Sequence, residues 1–121
     1  VYAEQLLHFD DIRNSILNGN NIRLVIDFNA CTPRIDDLVI YTTPHDIALR
    51  KDHLEFADVP YITDVSNETS AAVDFESVTY KLTNTNELQF QFKSVALTGQ
   101  NVSVNESSAV CPLDTAVKVF N

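Results

Sequence analysis

Three histidines, two cysteines and several adjacent carboxylates are the residues of this 121-residue chain whose types admit chemistry. His45-Asp46 and Asp52-His53 flank a predicted hairpin, so two imidazoles and two carboxylates could converge there on a metal ion, a donor set that suits several divalent cations. The plainer alternative puts His45 in a turn after Pro44 and His53 on a sheet face. Asp10-Asp11 and Asp36-Asp37 are neighbours in sequence, not the facing pair that acid–base work needs. A nucleophile could be assembled from Cys31 with His53, or from a serine, but no G-x-S-x-G or comparable context surrounds one. With Gly19 and Gly99 as the only glycines, a glycine-rich phosphate loop is excluded. No catalytic residue and no cofactor is expected.

Cys31 and Cys111 each border a strand-like run, and each is followed by a proline-bearing turn, C-T-P and C-P. They suit one long-range disulfide or, in a reducing compartment, two buried free thiols. The placement favours the disulfide, which would take Cys31 out of nucleophilic chemistry. No histidine stands at the spacing of a zinc finger.

Charge narrows the partners. The net charge is −9, and the eight basic residues are scattered, with Arg50-Lys51 the only adjacent pair. Nucleic acid and anionic membrane surfaces reward the opposite pattern. No apolar run approaches the eighteen or so residues that span a bilayer. The start, V-Y-A-E-Q, lacks the basic, apolar and small-residue pattern of a signal peptide. Asn67, Asn101 and Asn105 open N-glycosylation triplets of the kind expected by chance in a chain this rich in Asn, Ser and Thr.

The elements that must position these residues read as one helix followed by strands. Phe9, Ile12 and Ile16 give Glu4–Leu17 a helical period, with His8 as N-cap, Asp10 and Asp11 in the first turn, and Asn18-Gly19 as the stop. Leu7 would staple onto Ile12. Ile22–Phe28 has the continuous apolar centre of a strand covered on both faces. Asp27 interrupts it, and a carboxylate there needs a partner, expected across strands rather than from Arg23. Leu38–Thr43 is a further strand, and Ile47–Leu49 with Leu54–Phe56 make the hairpin. Ala57–Glu68 reads as a long loop and a contact surface. In Val73–Leu82 and again in Leu88–Leu97 the apolar set changes parity, which predicts a β-bulge near Glu76-Ser77 and another near Lys93-Ser94. T-N-T-N turns between them without glycine. Val102–Val104 and Ala116–Phe120 are short closing strands.

The expectation is a single α+β, β-rich domain over residues 1–121. One short N-terminal helix packs on a mostly antiparallel, strongly curved sheet, or partly open barrel, of about seven or eight strands. Tyr41, Tyr61, Phe56, Phe75, Phe90 and Phe92 are the aromatics that a curled sheet would either pack in its core or hold around a small apolar ligand.

The order of these features resembles the VirK family of small exported bacterial proteins associated with virulence. The resemblance runs over nearly the whole chain: F-D-D-I at Phe9–Ile12, a glycine, I-R-L-V-I-D-F-N-A-C-T at Ile22–Thr32, L-E-F-A-D, V-T-Y-K-L, and C-P-L-D-T-A-V-K-V-F at Cys111–Phe120. The glycine-rich turns expected in between are replaced by Asn, Asp and Thr. The family brings no catalytic mechanism, cofactor or ligand to carry over. The resemblance implies export to the periplasm or beyond, a role in host interaction through an unidentified protein partner, and Cys31 with Cys111 as an oxidised staple. A non-enzymatic, exported interaction module is thus the expected function, with carriage of a small apolar ligand the alternative.

Overall fold

The computed structural model describes the backbone of residues 4–57, 61–67 and 70–121, and their side chains apart from 61–67, 70–75 and 98. Apolar residues in β-period dominate the sequence, and strands dominate the fold. In order they are β1 (Gln5–Leu6), α1 (Phe9–Leu17), β2 (Arg23–Asp27), a 3-10 turn (Phe28–Ala30), β3 (Val39–Thr42), β4 (Ile47–Leu49), β5 (His53–Ala57), β6 (Tyr61–Asn67), β7 (Ser70–Thr83), β8 (Glu87–Thr98), β9 (Asn101–Pro112) and β10 (Val117–Phe120). They form a four-stranded sheet, β1-β10-β2-β3, and a six-stranded sheet, β4-β5-β7-β8-β9 with β6 on the outer part of β7. Every ladder between these strands is antiparallel. Neither sheet closes into a barrel.

The helix is shorter than its periodicity suggests. Gln5 and Leu6 pair with Phe120 and Val119 instead of adding a turn, because Leu6 is buried as strand and the helix begins after His8. His8 does take the extended N-cap conformation, and its side chain makes no capping bond. The Phe9 N–H donates instead to Asn86 Oδ1 at 2.9 Å, from the turn between β7 and β8. That turn places Asn86 at φ 62°, the left-handed conformation that asparagine tolerates. Asp10 and Asp11 lie in the first turn, where the helix dipole favours carboxylates. Gly19, at φ 85°, ends the element.

A single core fills the space between the sheets. α1 contributes Phe9 and Ile12, β2 contributes Leu24 and Ile26, and β10 contributes Val117 and Val119. The six-stranded sheet answers with Leu54, Phe56, Tyr80, Leu82, Leu88, Phe90, Ala109 and Cys111. Phe28 meets Phe90 edge-on with centroids 4.6 Å apart, Phe90 lies 5.6 Å from Tyr80, and Tyr80 stacks on Phe56 at 4.6 Å. These rings pack on one another. Tyr41 stands exposed on β3, Phe92 is half-buried, and the side chains of Tyr61 and Phe75 lie outside the described residues.

Three further expectations change. β2 buries only alternate residues: Leu24 and Ile26 face the core, while Arg23, Val25 and Asp27 stay half-buried on the other face. Much of the expected loop at Ala57–Glu68 is strand, with Tyr61–Asn67 paired to β7 over Tyr61↔Glu76 to Asn67↔Ser70. Residues 58–60 and 68–69 lie outside the described set. Neither bulge appears in the β7–β8 ladder, which pairs without a slip from Ala72↔Thr98 to Leu82↔Leu88. In β8 the inner half turns its even-numbered residues Leu88 and Phe90 to the core, whereas residues 94–97 are all half-buried, so burial there selects neither parity.

Candidate functional site

Alternation along the six-stranded sheet sends Phe56, Tyr80, Phe90 and Ala109 into the core, so their neighbours in each strand face solvent. Register assembles those neighbours into two rows across the sheet. One runs Ala48, Glu55, Lys81, Gln89, Val110; the other runs Ala57, Thr79, Gln91, Ser108. Between them lies an open trough of about 1220 Å³, bounded by Thr32 and Pro33 at one end and by His45 to Ile47 at the other. Its lining offers carboxylate, ammonium, amide and hydroxyl groups. Such a surface can hydrogen-bond a polar partner along its length.

His53 sits at the edge of this surface. Its Nδ1 is 2.7 Å from Asp52 Oδ1 and its Nε2 is 2.7 Å from Glu55 Oε1. The Glu55 bond, then the Asp52 bond, raise the imidazole pKa above its ordinary 6.5. The same contacts hold both carboxyls below their ordinary range, with the His53 hydrogen bond the largest cause for each. Arg50 approaches Glu55 at 3.7 Å. An imidazole with a carboxylate on each nitrogen is clamped in place, and when protonated it donates to both.

Of the four candidate metal ligands, Asp52 and His53 are brought together, while His45 and Asp46 lie at the end of the trough. The second partner of His53 is Glu55. Among the described residues no group of three or more His, Cys, Asp or Glu is disposed to hold a metal ion. Glu55 escaped the sequence reading, although its place two residues after His53 on one strand, hence on the same face, was the available signal.

Asp27 finds its partner locally rather than across strands. It caps the 3-10 turn, its Oδ1 accepting from the Asn29 backbone N–H at 3.0 Å and from Asn29 Nδ2 at 2.8 Å. The Asn29 side-chain bond, followed by the backbone bond, lowers its pKa. The capped turn delivers Cys31 to Cys111, where the two form a disulfide between Cα atoms 4.4 Å apart and 80 residues apart in sequence. Thr32 and Val110 exchange both backbone hydrogen bonds at 2.8 Å beside it. Bridge and disulfide join the end of β2 to β9.

A disulfide-stapled, β-rich domain with an open trough of mixed polar and apolar lining is the class these features define. No protein-family model matches the chain, and no curated protein does so significantly. Among solved structures it is similar to lpg1832, a VirK family protein from Legionella pneumophila, with a TM-score of 0.74 and 18% identity over 97% of this chain and 98% of that one. The likeness is one of fold.

Proposed function

We propose that this chain is an exported, non-enzymatic, virulence-associated interaction module, periplasmic or secreted, that receives a protein partner along the trough. The trough itself carries the reading. It is an open face where hydrogen-bonding side chains such as Lys81 and Gln89 lie among apolar ones such as Phe56 and Val110, and the histidine beside it is spent on two carboxylates. Export is supported by the Cys31–Cys111 bridge, because such bonds persist in oxidising compartments. The fold likeness to a VirK family protein agrees with both.

A photo-crosslinking side chain at Gln91, carried by the full protein in its source cells, tests the trough. The expected result is one discrete crosslinked protein in the exported fraction, lost on adding Thr79→Arg and absent when the probe sits at Lys118 on the other sheet. Equal capture from Gln91 and Lys118, or capture unaffected by Thr79→Arg, would contradict the proposal.

A further inference from the structure

The outer edge of β9 has its own chemistry. Val110 directs both its N–H and its C=O away from β8, to Thr32. In an antiparallel ladder that direction recurs at every second residue. Ser108, Glu106, Val104 and Val102 therefore aim their backbone groups outward as well. Pro33 takes the chain out of the lane that Thr32 occupies, and among the described residues no strand lies beyond β9 from Ser108 to Val102.

Proteins usually blunt such an edge with proline, lysine, a bulge or a covering segment. Asn101–Ser108 contains no proline and no basic residue, and it pairs with β8 without a slip. Val102 and Val104, at outward-directed positions, are 63% and 52% exposed. They stand opposite Leu97 and Val95, so the edge carries a small apolar patch as well as unpaired backbone.

From this we infer that β9 pairs with β9 of a second copy of the chain, antiparallel about a two-fold axis, to make one continuous sheet. An antiparallel copy presents outward backbone groups in the same alternating phase and an apolar patch of the same kind. Local charge favours a copy over a basic peptide. The only charged residue in Asn101–Ser108 is Glu106, which already faces Lys93 at 3.9 Å. No acidic cluster waits there for a cation. The net charge of −9 opposes association at long range, so salt should strengthen this dimer by screening it.

The test is sedimentation equilibrium of the oxidised protein from micromolar to sub-millimolar loading, at low and high salt. The expected result is a monomer–dimer equilibrium that tightens with salt. Val104→Pro removes an outward N–H while sparing the bonds to β8, and should weaken the dimer at least about tenfold. Val102→Lys, which keeps the backbone intact, should weaken it too, while Tyr41→Lys on β3 should not. Circular dichroism of each variant reports its fold. A monomer under all conditions, or a dimer untouched by Val104→Pro and Val102→Lys, would overturn the inference. So would a dimer that loosens with salt.

Discussion

The two ends of β9 lie on one ladder with β8 yet live in different physical worlds. At the inner end Ala109 and Cys111 are buried, Thr32 pairs across Val110, and the disulfide ties the strand to the end of β2. At the outer end Asn101 to Ser108 are all exposed, although the pairing with β8 continues unbroken to Thr98↔Asn101. Backbone pairing and exposed side-chain contacts hold the outer end, whereas pairing, burial and a covalent bond hold the inner one. Stability within a fold follows such differences, and surfaces that exchange partners come from the weaker end.

The largest expected effect is loss of the anchor. Replacing both cysteines, Cys31→Ala with Cys111→Ala, should lower unfolding free energy by about 4.5 kcal/mol, the loop-entropy value for a separation of 80 residues. Urea denaturation measures it. A change below about 1 kcal/mol would mean that the bridge does little to constrain the unfolded chain.

The contrast sharpens with two truncations on paired strands. Leu88→Ala, opposite Cys111 and fully buried, should cost about 3 kcal/mol through lost transfer energy and a residual cavity. Val102→Ala, on the outer end, should stay within about 0.5 kcal/mol. Equal costs in urea titrations would erase the distinction between the ends.

The smallest effect is electrostatic. The folded-state pKa of His53 is raised, so its contribution is complete below the ordinary 6.5 and is lost as pH rises through the folded value. Asp52 and Glu55 are lowered, so theirs is present above the ordinary carboxylate range and is lost as pH falls through their folded values. The cluster therefore stabilises between those limits. Urea midpoints at about pH 6 and about pH 9 should differ less in His53→Gln than in the native chain. An unchanged difference would remove His53 from the account.

What was legible in the sequence follows the same division. Where one face meets the core, period and turn chemistry identified the element: α1 with its His8 cap and Gly19 stop, the β4–β5 hairpin, and Asn86 turning β7 into β8. The cysteine placement pointed to the staple. Where burial stops, the pattern misled. The parity change in β8 imitates a bulge, because residues 94–97 are all half-buried and obey their ladder and not one hydrophobic face. β6 read as a loop, for residues 61–67 are recruited by pairing with β7 and lack a clean alternation of their own. The trough was invisible because its rows come from five strands aligned by register, and no local motif records that alignment.

The central claim, an exported module closed by one bridge, meets its most direct test in the protein recovered from its source cells. The measurement is intact mass in each cell fraction, with thiols alkylated before and after reduction. The account predicts protein in the periplasm or medium, lighter by the hydrogens of one disulfide and alkylated at Cys31 and Cys111 only after reduction. Protein confined to the cytoplasm with both thiols freely alkylated would contradict it.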